Sequence, residues 1–363
     1  MKKVLCIINS LYRGGAETFM VKLCNNIDRE KYRIDFCVKR MEEGAYEPLL
    51  RELGSKIFHT EMRTKKPIKC FFDILKIVKN EKYENVLVVS EQSINVLDII
   101  AAKLGGAKKC SMRSTNANLP SKRLNQLHKI LKPLSIYIPD VMLAPSSEAG
   151  EFTFGKRNIK KGKVHLLNNG LQYEKYEFSS EKRSDIRKAF NIEEKLVIGH
   201  VGRFSEQKNH TFLIDVFAEI LKANENAVLL LIGTGEKQQE LLHKVQKLGI
   251  AEKVIFAGTR DDVPVLLSAM DLMVFPSLYE GMPNVVIEAQ AAGLPVVASD
   301  SITKEADITG LVKYIPLEKN AKEWAHAALE HIKLFERRSY KDEFYTSGYD
   351  IKAVTERFIE LVF

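Results

Sequence analysis

LVIGHVGRFSEQKNHTFLIDVFAEILKANENAVLLLIGTG, residues 196–235, decides the fold. An apolar run, LVIGHVG, gives way to a polar turn, a helix-period stretch, HTFLIDVFAEILKA, and a second apolar run, AVLLLIG. Short continuous apolar runs read as strands buried on both faces, and the stretch between them is long enough for a crossover helix. Strand, helix, strand in that order is one parallel unit with a right-handed connection.

Outward from there the alternation continues. KQQELLHKVQKLG reads as helix, KVIFAG as strand, VPVLLSA as helix, DLMVFP and LPVVAS as strands. The first half repeats the scheme: KKVLCIIN is a strand, SLYRGGAE a turn and TFMVKLCNNI a helix, followed by the strands YRIDFCVK, NVLVVS and KKCSMRS between helical stretches. Each half is therefore expected to be a doubly wound parallel sheet, and 363 residues suit two such domains. The break is expected near Asn169-Gly170, ahead of the polar stretch QYEKYEFSSEKRSDIRKAF. Ligand is expected between the domains, at the carboxyl ends of the strands.

Composition narrows the class. With 45% hydrophobic and 28% charged residues and no low-complexity tract, the chain is globular. No apolar run approaches the roughly 18 residues of a membrane span, and VLCIIN is too short for a signal-peptide core. Five cysteines, odd in number and free of any CxxC pair, predict a reduced cytoplasmic setting without zinc or disulfide frameworks.

The net charge of +8 is uneven: residues 1–180 carry +13 and the remainder −5. Residues 101–170 hold 13 basic and 3 acidic groups. There, SKRLNQLHKILKPL places Leu124, Leu127, Ile130, Leu131 and Leu134 on one helical stripe among Lys122, Arg123, Lys129 and Lys132. Such a stripe reads as an ordinary helix packed on its domain; the sharper reading is a basic surface helix docking on anionic lipid or a phosphate-bearing substrate. Nucleic acid is not expected, because neither zinc-finger spacing nor an aromatic ribonucleoprotein motif accompanies the charge.

The chemistry concentrates in SLYEGMPNVVIEAQAAGLPVVASD, residues 277–300. Glu280 falls in a Gly/Pro loop, Asn284 is a candidate cap, and VVIEAQAA reads as a helix closed by Gly293, with Glu288 about one turn in. Two carboxylates beside a helix N-terminus suit a sugar joined to a diphosphate, although acidic residues in a first turn are also favoured by the helix dipole alone. Arg203 and Lys208, five residues apart after a buried strand, are two cations suited to clamp that diphosphate. Gly14-Gly15 and Gly233-Thr234-Gly235 are further turns between strand and helix; the latter lacks the last glycine of GxGxxG, so a dinucleotide fingerprint is a poor match.

From Gly199 to about Tyr314 the sequence closely resembles the nucleotide-sugar domain of family 4 retaining glycosyltransferases of the GT-B fold, through GHVGRFSEQKNH, LLLIGTGE, VIFAGTRDDV and YEGMPNVVIEAQAAGLPVVASD. The first half is similar to the bacterial exopolysaccharide and capsule branch through LYRGGAE, APSSEAGEFTFG and HLLNNGL, and YDIKAVTERFIELVF looks like the family's last helix, which crosses back to the first domain. The resemblance implies an acceptor-binding domain at residues 1–170, a donor-binding domain at 171–345 and a returning helix at 346–363.

It further implies that Glu280, Arg203 and Lys208 serve the reaction: Glu280 contacts a hydroxyl of the transferred sugar, and the two cations hold the diphosphate. Glu288 would accept from the ribose hydroxyls, an ionised carboxylate being able to take both. Gly15, Gly281, Met282, Asn284, Gly233 and Gly258 would complete the donor site. The implied reaction retains anomeric configuration and needs no metal or other cofactor; the absence of an Asp-x-Asp pair, an HExxH motif or a clustered histidine set agrees. Its partners would be a UDP- or GDP-sugar and either a lipid-linked acceptor, carried on polyprenyl diphosphate, or an oligosaccharide, with peripheral contact at the anionic inner face of the cell membrane.

One departure stands out. Relatives carry a histidine after the fourth strand of the first domain, where this chain reads Met112-Arg113-Ser114-Thr115-Asn116. Arg113, Ser114 and Asn116 become acceptor-side candidates, although an arginine cannot serve as a base. A glycosyltransferase-like subunit that binds nucleotide or polymer without chemistry is the alternative. A glycosidase using the two glutamates and a nicotinamide enzyme are disfavoured by the cation pair and by the missing glycine.

Overall fold

The computed structural model describes residues 1–12, 14–115 and 122–363. The chain forms two compact units, Met1–Leu171 with Gly348–Phe363, and Gln172–Ser347.

The first unit carries a seven-stranded sheet of β1 (Lys2–Ile8), β2 (Tyr32–Val38), β3 (Ile57–His59), β4 (Asn85–Ser90), β5 (Lys109–Ser114), β6 (Val141–Ala144) and β7 (Val164–Leu166). Its strand order is β3-β2-β1-β4-β5-β6-β7, with every pairing parallel. The second carries β8 (Leu196–Val201), β9 (Ala227–Ile232), β10 (Val254–Phe256), β11 (Leu272–Phe275), β12 (Val296–Ser299) and β13 (Val312–Ile315), again all parallel, in the order β10-β9-β8-β11-β12-β13. Helices cover both faces of each sheet. Along β1, Val4, Cys6 and Ile8 enter one core while Leu5 and Ile7 enter the other; along β9, Leu229 and Leu231 alternate with Val228, Leu230 and Ile232 in the same way. Burial on both faces is why these strands read as unbroken apolar runs.

Helix Ile351–Val362 brings the end of the chain back to the first unit. Asp350 caps it through the Ala353 N–H, and its Val354, Phe358 and Leu361 recur at helical spacing to join the core around Phe19 and Leu23 of helix Gly15–Asn26. Phe358 meets Phe19 edge to face, with centroids 6.5 Å apart. Truncating so buried a ring to alanine costs about 3–5 kcal/mol, so Phe358→Ala is expected to loosen the docking of this helix. Among the described residues no helix is long and apolar enough to cross a membrane.

Four strands escape the sequence reading: β3, β6, β7 and β13, none longer than four residues. The Arg113 segment consequently closes the fifth strand, counted as the fourth from sequence.

Candidate functional site

The second sheet reverses direction between β8 and β11: the chain runs outward to β9 and β10, then returns to lay β11 on the other side of β8. Loops leaving these two carboxyl ends diverge, and open α/β sheets take ligands in the crevice so formed. The loop after β8 makes a short turn over Glu206–Lys208 and enters helix His210–Ala223 through Asn209, held at φ 54°. The loop after β11 is stitched to it: Leu278 N–H donates to the Gln207 carbonyl at 2.8 Å, and Gln207 Nε2 donates to the Tyr279 carbonyl at 2.8 Å.

That stitching brings two sequence candidates into contact. Lys208 Nζ donates to Glu280 Oε1 at 2.6 Å and lies over the Phe275 ring, 4.8 Å from its centroid. The side chains are 17% and 10% exposed, so water screens them little and each charge depends on the other. Glu288, half-buried, is the fifth residue of helix Asn284–Ala291. Asn284 is not the cap that the sequence suggested. Pro283 holds that position, its carbonyl taking the Val286 N–H at 3.0 Å, so the helix begins without a side-chain cap and Asn284 is its first residue. Gly281 and Met282 lead into it, both half-buried.

Beside this crevice the next strand ends align through their backbones. Gly202 N–H donates to the Ile232 carbonyl at 2.9 Å, and Gly233 N–H to the Gly258 carbonyl at 2.8 Å. Gly233 is held at φ 135°, and a Cβ there would strike the Gly202 carbonyl, so only glycine allows the two loops this close. Arg203 stands apart from Lys208. It is 74% exposed, with Nη2 3.0 Å from Glu236 Oε2, and a surface pair of this kind holds it by at most about 1 kcal/mol.

Sequence reading missed what lies beneath. His200, on β8, and His210 are buried with ring centroids 4.4 Å apart, although no histidine cluster was expected. His200 stacks on Phe275 and its Nδ1 bonds the Val274 carbonyl at 2.9 Å; His200 Nε2 and both His210 nitrogens have no partner. Burial, aided by the nearby Lys208 charge, pushes His200 down to about 4 and His210 to about 2, so both are neutral imidazoles. Their spacing of ten residues carries no motif; the strand-to-helix turn alone makes them neighbours. Among the described residues no three His, Cys, Asp or Glu side chains gather as a metal site.

In the first unit, Gly15 opens helix Gly15–Asn26 just after β1, and no side chain caps that helix. Arg113, an acceptor-side candidate from the sequence, is interior, 1% exposed. Its Nη2 donates to Asn169 Oδ1 at 2.6 Å and to the Leu167 carbonyl at 3.1 Å, and its guanidinium lies 4.1 Å from the Phe19 ring centroid. Burial pushes it down to about 9, which leaves it a cation at neutral pH. Ser114 is buried as well, donating to the Ala149 carbonyl at 2.8 Å. Both side chains are spent on the fold. Asn116 lies outside the described residues.

Helix Lys122–Tyr137 also departs from the simpler expectation. It packs through His128 and Ser135, while Leu127, Ile130, Leu134 and Tyr137, spaced three, four and three apart on one face, are exposed.

The family model described as Glycosyl transferases group 1 matches residues 195–333, which contain the whole crevice. EpsF of Bacillus subtilis is 30% identical over 331 residues, covering 89% of this chain and 86% of that protein. The chain belongs to the group 1 glycosyltransferases. The UDP-Gal:alpha-D-GlcNAc-diphosphoundecaprenol alpha-1,3-galactosyltransferase of Escherichia coli is 27% identical over 243 residues, 65% of this chain and 62% of that protein. Among solved structures, HepE of Anabaena in complex with UDP-glucose superposes with a TM-score of 0.79 at 19% identity, covering 99% of both chains. That likeness establishes the GT-B fold: two parallel-sheet α/β units with the closing helix returned to the first.

Proposed function

We propose that this glycosyltransferase moves a hexose from a UDP- or GDP-sugar to a polyprenyl-diphosphate-linked acceptor in bacterial surface-polysaccharide assembly, with retention and without a metal. The observation that carries the reading is the Lys208–Glu280 pair at the switch point, beside a helix entrance that bears Glu288 and has no side-chain cap. HepE's UDP-glucose complex supports the donor class, and the Escherichia coli relative's lipid diphosphate supports the acceptor class.

In this reading the second unit binds the donor and the first the acceptor. Glu288 accepts from the ribose hydroxyls and Glu280 from a sugar hydroxyl, while the Gly281 and Met282 backbone, Asn284, Gly233 and Gly258 complete the donor site. Charge builds on the diphosphate as the bond to the anomeric carbon breaks, and Lys208, fixed by Glu280 and Phe275, meets it there. Arg203 swings from its loose tie to Glu236 to do the same. The acceptor oxygen bonds the anomeric carbon on the face the diphosphate leaves, the electron pair going to the departing phosphate and the hydroxyl proton with it. Exposed Ile130 and Tyr137 on a helix bearing Lys129 and no acid fit peripheral contact with an anionic leaflet.

Glu288→Gln and Arg203→Ala are expected to lower turnover by at least roughly 10²-fold each, the loss typical of removing one charge-stabilising group, with transfer surviving EDTA. Near-wild-type transfer by either variant would sink the site, and abolition by chelator with rescue by manganese would sink the metal-free mechanism.

A further inference from the structure

The first unit contains a cavity of about 480 Å³ at the carboxyl edge of its own sheet, within the range that takes small ligands. Residues just past β1, β2 and β4 line it, Asn9, Lys39 and Glu91 among them, so it occupies the ligand edge of a doubly wound sheet. One part of its wall is apolar: Met62, Pro67, Ile94, Leu97 and Leu127. Another is cationic, with Lys39, Arg40 and Arg63.

The charges there are unequal. Lys39 Nζ donates to Asp98 Oδ2 at 2.8 Å, and Arg63 Nη2 holds the other oxygen of the same carboxylate. Lys39 is 4% exposed, Arg63 10% and Asp98 fully buried, so two interior cations share one anion. Arg63 Nε is buried with no partner. A buried cluster with a surplus positive charge and an idle guanidinium N–H is built to receive an anion. Leu127 joins this cationic wall to an apolar surface. It lines the cavity and also begins the exposed row Leu127, Ile130, Leu134, Tyr137, which runs for about 15 Å along its helix at 1.5 Å per residue. An apolar track that starts in a cationic cavity fits a molecule with a phosphate head and a hydrocarbon chain.

We infer that this cavity binds the phosphate group of an isoprenoid diphosphate, held by Arg63 and Lys39, with the hydrocarbon chain leaving past Leu127 along the exposed row. The assignment rests on the lipid-linked acceptor proposed above and gives that acceptor its seat. Glu91 also lines the cavity, and with Lys39, Arg40 and Arg63 set against Glu91 and Asp98 the wall keeps a net positive charge.

The test is calorimetric titration of the full chain, with UDP present at saturation, by farnesyl diphosphate, inorganic diphosphate and farnesol. Farnesyl diphosphate should bind at least about tenfold more tightly than either fragment, each half contributing a tenfold factor or more. Arg63→Gln, which leaves Lys39 to neutralise Asp98 and so should not unfold the unit, should weaken farnesyl diphosphate and diphosphate alike by about tenfold or more. Leu127→Glu, on an exposed position, should weaken farnesyl diphosphate and spare diphosphate. Wild-type affinity in both variants, or equal affinity for diphosphate with and without its chain, overturns the assignment. UDP and GDP titrations of the same preparations separate the two readings. Nucleotide binding with no effect of Arg63→Gln breaks the cavity and leaves the donor site standing; the opposite result keeps the cavity and breaks the donor site.

Discussion

Arg113 and Arg203 each sit where a parallel strand gives out at the carboxyl edge of its sheet, one in each unit, and the molecule uses them in opposite ways. Arg113 is sealed under Phe19 and tied to Leu167 and Asn169; Arg203 stands in water with a single exposed carboxylate for company. The first is held so firmly that no ligand can recruit it without unpicking the core. The second can leave its partner at almost no cost. Two units with the same strand order thus bury this residue type in one and leave it at the surface in the other, and only the exposed one is free to meet a ligand.

The largest effect expected from this contrast is on folding. Arg113→Ala should cost about 3–5 kcal/mol in urea unfolding, through the cavity and the acceptors it strands, whereas Arg203→Ala should move stability by under about 0.5 kcal/mol, as surface substitutions do. Equal stability of the two variants would break the comparison.

Acid should come next. His200 and His210 fall from 6.5 to about 4 and about 2 in the folded protein, so below pH 6.5 the unfolded chain binds protons that the folded chain refuses. Stability is full above that pH and declines as pH falls toward 4, by on the order of 3 kcal/mol for a shift of His200's size. Urea midpoints measured from pH 7 to 4.5 read this slope directly. His210→Phe, which removes two unpartnered nitrogens from an aromatic nest, should flatten the slope and leave stability at neutral pH intact or higher. An unchanged slope in that variant would show the imidazole to be protonated or hydrated.

Smallest is Lys208→Gln. Glu280 loses a charged hydrogen bond in a place that water reaches poorly, worth on the order of 2 kcal/mol. A thermal melt showing no loss would mean that the pair is exposed in solution and that Lys208 resembles Arg203 more than the structure indicates.

The double alternation of strand and helix was plain in the sequence because strands buried on both faces are written as unbroken apolar runs. Short strands such as Ile57–His59 and Val164–Leu166 were not, since three residues cannot show a period. Glu280, Lys208 and Glu288 could be named from motif spacing, and the 2.6 Å contact between the first two follows from adjacent strand ends. Arg113's interior position could not be read, because its partners Leu167 and Asn169 lie 54 and 56 residues away and a lone arginine in a strand looks like any other surface cation. Helix Lys122–Tyr137 misled for a different reason. Its apolar stripe suggests a buried face, yet the surface it actually buries contains His128 and Ser135, which find Ser93 and the Phe152 carbonyl as partners.

Helix Ile351–Val362 supplies Val354, Phe358, Leu361 and Val362 to a core whose other members all precede residue 168. The first unit is therefore written in two instalments with an entire second unit between them. On the ribosome its amino-terminal part emerges early but cannot close its core until the last dozen residues are made, some 180 residues later. At ordinary elongation rates of about 5–20 residues per second, that is roughly ten to forty seconds with one hydrophobic wall of the sheet uncovered. The half that appears first in the sequence is the half that finishes last.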